Sequence, residues 1–259
     1  MNFRQCLKRP LYRSPRLLGA LMRLKPNWNR ETYIFLHTVR RGDHVLDVGA
    51  NLGEFTELFA RLVGPRGRVA AFEPVPPTYA QLQNRLRPWP DVTTHNVAVS
   101  DRPGEVLLNL PDKDCGQASL QPHHAGSWKS TAAVTVHRAQ ALTLDQWSKD
   151  TLWPRVDFIK LDIEGAELLA LRGAGQLVRQ HQPLLFLEVW QEWMRDFGFT
   201  PRDLALWLRD HGYDRFLAVE NTLTPLPDLE DSWAPCLARG PHNLLVGISH
   251  RHAGRWPGW

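Results

Sequence analysis

The chain has 259 residues, of which 43% are hydrophobic and 22% are charged, and its formal net charge is +4. This length suits one α/β domain with additions and leaves little room for two full domains. Three widely spaced cysteines exclude a disulfide framework and a zinc-binding spacing, and no apolar run reaches the roughly 20 residues of a membrane-spanning helix.

Positive charge is concentrated at the N-terminus. Residues 1–41 contain ten Lys and Arg residues and one acidic residue, Glu31, so their net charge is +9 and that of the remaining chain is −5. We interpret this segment as a basic arm followed by a helix at Asn29–Val39. No nucleic acid partner is expected, because no aromatic residue is interleaved with the basic ones between Tyr12 and Trp28.

A short helix is predicted within this arm, at residues 16–24. Basic amphipathic helices attract anionic lipid, so a peripheral membrane contact is one alternative. The apolar run Leu17–Met22 is short for a membrane anchor, which favours an arm that packs on its own domain or on a second subunit of a homo-oligomer. Arg16 and Arg23 flank this run, so no signal peptide is expected and a cytoplasmic location is predicted.

The first strand of the sheet is predicted at Val45–Val48, whose apolar residues are typical of a parallel strand buried on both faces. The glycine-containing run Gly49–Gly53 ends it, and a helix with apolar residues at helical spacing follows at residues 54–62. A strand, a glycine turn and a helix in this order present backbone N–H groups to a ligand.

Two acidic residues restrict the kind of ligand. The spacing Gly49-x-Asn51-x-Gly53 differs from the G-x-G-x-x-G of dinucleotide-binding turns, and Asp47 lies just before it. An anion there would repel a pyrophosphate and suit an ammonium group. Glu73 ends the next strand and is placed to accept hydrogen bonds from ribose hydroxyls. A ligand with a cationic head and a ribose but no phosphate fits both, and S-adenosylmethionine is such a ligand.

The rest of the chain continues the alternation of strands and helices. Further strands are predicted at residues 92–97, 156–161, 184–189, 213–219 and 244–249, the last of them antiparallel, and helices at residues 78–86, 166–179 and 201–211. Two short strands flanking a long loop form an insertion at about 104–140. We assign the domain to residues 42–250 and expect a disordered tail at residues 251–259.

Five motifs in this order resemble those of the FkbM family of class I S-adenosylmethionine-dependent methyltransferases. They are Asp47-x-Gly49-x-Asn51-x-Gly53, Phe72-Glu73-Pro74, Asn96–Asp101, Phe158–Glu167 and Leu187–Val189. The resemblance implies a Rossmann-like, seven-stranded, mostly parallel sheet with helices on both faces. It also implies that Asn96 and Ala98, at the end of the third strand, lie near the adenine of the cofactor.

Three carboxylates are the catalytic candidates. Asp162 and Glu164 follow the fourth strand and Glu188 ends the fifth, and the carboxyl ends of adjacent strands are where open α/β sheets bind ligands. One of them would act as a general base on a substrate hydroxyl. Alternatively, Glu164 caps the following helix and Asp162 bonds to backbone. Mg²⁺ bound through these oxygens is less favoured, and no metal ligand is assigned.

Other candidates are weaker. His123, His124 and His137 lie in or near the insertion, where surface histidines are the simpler interpretation. Trp190 and Trp193 would wall the acceptor pocket or pack in the core. Ser119 is a weak candidate on the substrate side.

The function predicted from these motifs is O-methylation of a hydroxyl on a sugar, a glycan or another natural product. Enzymes that methylate an exocyclic amine on nucleic acid or protein usually carry an Asn/Asp-Pro-Pro-aromatic run at the fourth strand, where this chain has Leu161–Glu164. N-methylation of another acceptor and a non-catalytic cofactor-binding partner protein stay open as alternatives. A nicotinamide-dependent oxidoreductase is disfavoured by Asn51 and the glycine spacing.

Overall fold

The computed structural model describes residues 14–22, 29–111, 118–122, 134–220, 222–227, 229 and 242–257. Its strands are β1 (His44–Val48), β2 (Arg68–Phe72), β3 (Val92–His95), β4 (Ala98–Val99), β5 (Gly104–Pro111), β6 (Val134–Leu142), β7 (Phe158–Leu161), β8 (Leu184–Val189), β9 (Arg215–Val219), β10 (Leu223–Leu226) and β11 (His242–Gly247). Its α-helices are α1 (Pro15–Met22), α2 (Arg30–Thr38), α3 (Glu54–Val63), α4 (Pro76–Leu86), α5 (Leu144–Asp150), α6 (Glu167–Arg172), α7 (Gly175–His181), α8 (Gln191–Asp196), α9 (Pro201–Asp210) and α10 (Ser249–His252).

The main sheet has the strand order β10-β9-β11-β8-β7-β1-β2-β3. Its neighbours from β8 to β3 are parallel, whereas β11 is antiparallel to both β8 and β9. This confirms the mostly parallel α/β fold. The described sheet has eight strands rather than the predicted seven, because Leu223–Leu226 pairs antiparallel with β9 at the edge. Pro225 is tolerated there, since an edge strand has an N–H side without a partner strand.

The insertion forms a second sheet, in which β6 lies between β4 and β5. The two strands predicted to flank a loop pair antiparallel along their whole length, from Gly104 opposite Ala141 to Pro111 opposite Val134. A β-bridge joins Asn109 to Ser119 and brings the described part of the connecting segment back to β5.

Apolar layers cover both faces of the main sheet because neighbouring residues on a strand point to opposite sides. Leu46 and Val48 of β1 belong to the layer under α5, α6, α7 and α9. Val45 belongs to the layer under α2 and α3. Asp47 therefore points to the same side as Val45, into the layer under α2 and α3.

Three sequence predictions need correction. The domain does not begin at residue 42, because α2 is part of the core: Phe35 is fully buried, and its ring lies 4.8 Å from those of Phe59 and Phe186. The helix predicted at residues 166–179 is two helices, α6 and α7. They separate near Gly173, where a Cβ would lie 2.1 Å from the carbonyl oxygen of Ser100.

The third correction concerns the C-terminal segment. A disordered tail is wrong for residues 251–257, because Arg255 donates two hydrogen bonds to the buried Asp43 carboxylate, at 2.6 and 2.9 Å. A buried carboxylate needs such a partner. Trp256 packs on the layer under α2, with the Arg215 guanidinium 4.6 Å from its ring centroid. Within the described ranges, no helix combines the length and the apolarity that crossing a membrane requires.

Candidate active site

The turn between β1 and α3 has the backbone that its glycines predict. Gly49 and Gly53 have φ values of +77° and +81°, and Asn51 between them has +48°. Residues without a Cβ adopt this left-handed region at little cost, and asparagine is among the few others that do so. The backbone N–H groups of Gly49 and Ala50 both donate to the carbonyl oxygen of Phe72, which ties the turn to the end of β2.

Glu73 lies at the end of β2 and bridges two turns. Its Oε2 accepts a hydrogen bond from the backbone N–H of Asn51 and its Oε1 accepts one from Val75, both at 2.9 Å. Glu73 is only 5% exposed, and burial raises the pKa of its carboxyl to about 7, partly opposed by these two hydrogen bonds. Each oxygen keeps a lone pair for a further donor.

Asp47 lies behind the turn and not in the cleft, although the sequence pattern assigns it to the ligand. It is fully buried, its Oδ2 accepts a hydrogen bond of 2.6 Å from the Thr56 hydroxyl, and its Oδ1 is 3.7 Å from Nζ of Lys160. Burial raises its pKa, and the Lys160 ammonium opposes that rise. Asp47 can therefore support the turn, but its side chain does not line the cleft.

A cleft runs along the carboxyl edge of the sheet. Its described lining residues are Val48, Gly49, Asn51, Phe72, Glu73, Pro74, Val97, Ala98, Val99, Leu108, Ala118, Leu120, Asp162, Ile163, Glu164 and Ala166. Ala98 lies in its wall, and its contact with adenine stays a prediction. Asn96 instead donates from its side-chain amide to the carbonyl oxygens of Glu73 and Pro74, which fixes the loop after β2.

The chemistry of this lining fits S-adenosylmethionine. The Glu73 carboxylate has spare acceptor capacity and suits the ribose hydroxyls, the apolar lining residues suit the adenine, and the Asp162 and Glu164 carboxylates suit a cationic ligand. None of the described lining residues is Lys or Arg, so the cleft offers no side-chain cation to a phosphate.

The three predicted catalytic carboxylates converge. One oxygen from each of Asp162, Glu164 and Glu188 lies within 4.8 Å of the others. Asp162 also accepts a hydrogen bond of 2.9 Å from Lys160 Nζ. Burial, followed by the charge of Asp162 and a hydrogen bond with it, raises the pKa of Glu188 well above its usual value. Acidic groups with this spacing are also common without a metal ion, so the geometry alone assigns none.

The turn after β7 carries backbone strain. Glu164 has φ +55°, a region in which a residue with a Cβ costs roughly 1–2 kcal/mol. Strain of this kind is concentrated at functional sites. Its carbonyl oxygen accepts a hydrogen bond of 3.1 Å from Ser119 Oγ, which joins the insertion to the site. Ser119 is thus a support for Glu164 rather than a lining residue.

Three polar residues at this site were not assigned from the sequence. Glu167 accepts hydrogen bonds from the backbone N–H groups of Ile163 and Gly165, and burial raises its pKa to about 7. Lys160 interrupts an apolar buried strand, and a charged residue at such a position indicates a paired group, so the sequence pattern could have identified it. Glu31 gave no such signal. It accepts a hydrogen bond of 2.7 Å from Asn243, and its pKa is raised mainly by burial and then by the charge of Asp162.

The remaining candidates are less closely connected to the cleft. The indole rings of Trp190 and Trp193 meet edge to face, with centroids 4.8 Å apart, and Trp193 is buried against Gly165. His137 lies on β6 and is half-buried. His123 and His124 fall outside the described residues.

Known proteins resemble this chain over parts of their length. It is 27% identical over 202 residues to the AMB antimetabolite synthetase AmbE of Pseudomonas aeruginosa, a match that covers 66% of this chain and 9% of AmbE. It is 24% identical over 140 residues to the 2-O-methyltransferase NoeI of Sinorhizobium fredii, covering 51% of this chain and 57% of NoeI. The chain thus spans less than two thirds of either relative.

A solved structure and a family model complete the comparison. The crystal structure of methyltransferase FkbM from Methylobacillus flagellatus is 18% identical with a TM-score of 0.49, and the match covers 92% of this chain and 58% of that one. The family model described as the methyltransferase FkbM domain matches residues 47–215, from β1 to the start of β9. These residues are more than half of the chain and include Glu73, Asp162 and Glu188, and the chain therefore belongs to the FkbM family of class I S-adenosylmethionine-dependent methyltransferases.

Proposed function

We propose that this protein transfers the methyl group of S-adenosylmethionine to a hydroxyl oxygen of a sugar, a glycan or another natural product. The observation that carries the proposal is the meeting of Asp162, Glu164 and Glu188 at the end of the cleft that Glu73 lines. An alcohol is a poor nucleophile until its proton is removed, and a carboxylate within hydrogen-bond reach removes it. The name of NoeI, a 2-O-methyltransferase, agrees with an oxygen acceptor.

Among the three carboxylates, Asp162 is the best placed to accept that proton. Both Asp162 and Glu164 line the cleft, but the Asp162 side chain is 36% exposed whereas Glu164 is buried. Glu188 holds a proton more tightly than an ordinary glutamate, because burial and the charge of Asp162 raise its pKa. Glu73 would bind the ribose, and Ala98 would contact the adenine. S-adenosylmethionine supplies the electrophilic methyl group, and the chain supplies the alignment and the proton acceptor.

The test is methyl transfer from isotope-labelled S-adenosylmethionine into an extract of the source cells, followed by identification of the labelled product. Asp162→Asn should lower the rate about 100-fold or more while the affinity for S-adenosylhomocysteine changes little. Asp150→Asn is the matched control, since Asp150 is exposed on α5. A full rate for Asp162→Asn would remove Asp162 from the mechanism.

The alternatives give different outcomes in the same assay. Label on nitrogen would establish N-methylation of another acceptor. Binding of S-adenosylhomocysteine without transfer would favour a cofactor-binding partner protein. The predicted mechanism needs no metal, so EDTA should leave the rate unchanged, and a rate lost with EDTA and restored by Mg²⁺ would contradict this expectation.

A further inference from the structure

Lys160 lies between the turn Gly49–Gly53, called the cofactor turn from here on, and the carboxylates of Asp162, Glu164 and Glu188, called the acceptor carboxylates. It is 3% exposed on β7, and its Nζ is 2.9 Å from Asp162 Oδ2, 3.7 Å from Asp47 Oδ1 and 3.5 Å from the carbonyl oxygen of Gly49. The ring of Phe55 covers it, with the centroid 5.6 Å from Nζ. A lysine is almost never this buried unless it is paired. Of its three oxygen partners, those of Asp47 and Gly49 lie in or next to the cofactor turn, and that of Asp162 is an acceptor carboxylate.

The charge of Lys160 is maintained by its surroundings. Burial alone would lower the pKa of its ammonium, but Asp162, Asp47 and Glu188 raise the pKa above its usual value. Glu31 on α2 faces the same group, since Lys160 lowers the pKa of that carboxyl against the larger effects of burial and Asp162. Carboxylates on β1, β8 and α2 and the one that directly follows β7 therefore all interact with the charge of this cation.

Asp47 and Asp162 depend on Lys160 for different reasons. Asp47 is 0% exposed, and a carboxylate buried away from water without a neighbouring cation strongly destabilises the folded state. Asp162 is 36% exposed, so water can solvate its charge, and exposed pairs contribute little to stability. The Lys160–Asp47 contact therefore supports the fold. The Lys160–Asp162 contact, together with the hydrogen bond between Asp162 and Glu188, fixes the position of the Asp162 carboxylate relative to the turn that contains Gly49.

We propose that Lys160 is a positioning residue for methyl transfer, which holds the Asp162 carboxylate at a fixed place relative to the Gly49 turn. This inference rests on the proposed function, because it takes Asp162 as the proton acceptor. Methyl transfer requires the acceptor oxygen to approach within roughly 3–3.5 Å in line with the reacting bond. A proton acceptor that wanders from the cofactor turn loses that alignment, although the protein still folds and binds its cofactor.

The experiment has to separate positioning from folding. Lys160→Met alone leaves Asp47 buried without a cation and is expected to unfold the protein, so both variants carry Asp47→Asn, whose amide can still accept the Thr56 hydrogen bond. Asp47→Asn/Lys160→Met is compared with Asp47→Asn by thermal unfolding, by calorimetry with S-adenosylhomocysteine and by label transfer into the extract. Lys149→Met, at an exposed lysine bonded to Gln176, is the surface control.

We expect the added Lys160→Met change to lower the transfer rate at saturating cofactor at least tenfold and to weaken S-adenosylhomocysteine binding less than threefold. A transfer rate within twofold of the Asp47→Asn reference would overturn the proposal. An affinity loss as large as the rate loss would also overturn it, because Lys160 would then serve the cofactor turn alone.

A second measurement tests the Lys160–Asp162 contact without any need for methyl transfer. If the wild-type protein transfers no label, the proposed function is refuted, but this contact can still be tested. In the Asp47→Asn background, Asp162→Asn removes the second of the two carboxylates, Asp47 and Asp162, that pair with the buried Lys160. It should therefore raise the unfolding equilibrium constant at least tenfold, but less than twofold when Lys160→Met is also present. Equal effects of Asp162→Asn in both backgrounds would show that Lys160 does not hold Asp162.

Discussion

The carbonyl oxygen of Asp162 lies 1.8 Å from the place where a Cβ on residue 49 would stand, so Gly49 and Asp162 pack backbone against backbone. The two residues follow adjacent parallel strands, β1 and β7, whose register pairs Val48 with Leu161. The cofactor turn is consequently in direct backbone contact with the segment that carries Asp162, so a shift of either one displaces the other.

Gly49→Ala should disrupt both halves of the site. The added methyl would overlap the Asp162 carbonyl, and the φ of +77° would add roughly 1–2 kcal/mol of strain. We expect at least a tenfold loss of S-adenosylhomocysteine affinity by calorimetry and a lower unfolding midpoint. Gly198→Ala is the matched control, because Gly198 has φ +74° but, among the described residues beyond its chain neighbours, no atom within 4 Å of the place where its Cβ would stand. Equal effects of the two substitutions would show that strain, and not the contact with Asp162, matters.

Glu73 should make cofactor binding dependent on pH. Its carboxyl has a pKa of about 7 because it is buried, and the ionised form accepts more hydrogen bonds than the protonated one. The affinity for S-adenosylhomocysteine should therefore fall as the pH drops below 7, approaching tenfold per pH unit. Glu73→Gln should weaken binding at least tenfold at pH 8 and abolish this pH dependence. Glu105→Gln, at an exposed glutamate on β5, is the control, and an unchanged pH dependence in Glu73→Gln would disprove the assignment.

The sequence predicted the fold and the convergence of the carboxylates because both follow from local patterns. Apolar strands alternating with helices define a doubly wound sheet, and residues at the ends of adjacent parallel strands meet at one edge. Asp162, Glu164 and Glu188 could thus be brought together from the sequence alone.

Side-chain direction and long-range pairing could not be predicted in this way. Asp47 lies near the end of β1 and Glu73 directly follows β2, at the same edge of the sheet. Only Glu73 lines the cleft, because Asp47 points into the layer that contains Thr56 and α3. Glu31 and Asn243 are separated by 212 residues and joined by one hydrogen bond, and no local pattern encodes that contact. The C-terminal Arg255 was missed for the same reason.

Glu167 should make the folded state less stable as the pH rises. Its folded pKa of about 7 lies above the ordinary value of 4.5, because burial penalises the charge. Its contribution to stability is therefore fully present below pH 4.5 and is lost as the pH rises through 7, by about 3 kcal/mol in total. Glu167→Gln keeps an oxygen for the Ile163 and Gly165 N–H groups and removes the charge. The unfolding free energy of the variant, relative to the wild type, should increase between pH 5 and pH 8 in denaturant titrations, and a constant difference would contradict this assignment.

The N-terminal segment should contribute to stability and not to cofactor binding. Leu18 and Met22 of α1 pack on the layer that contains α2, and α1 approaches so closely that a Cβ on Gly19 would lie 2.5 Å from Cε1 of His37. Deletion of residues 1–27 should therefore lower the free energy of unfolding by about 1–3 kcal/mol, the value of one or two partly buried side chains, and leave the affinity for S-adenosylhomocysteine unchanged. Deletion of residues 1–13 is the matched control, because it removes four basic residues but keeps α1.

The same two deletions test the alternative that the basic segment binds a membrane. Each Lys or Arg near an anionic surface contributes about 1 kcal/mol, which salt screens. We expect no co-sedimentation of the full-length chain with vesicles of phosphatidylserine and phosphatidylcholine, because Leu18 and Met22, two of the apolar residues that would insert, already pack on the layer that contains α2. Salt-sensitive vesicle binding that disappears on deletion of residues 1–13 would establish a peripheral membrane contact instead. A change in sedimentation mass on deletion of residues 1–27, without vesicle binding, would show that the segment joins two subunits.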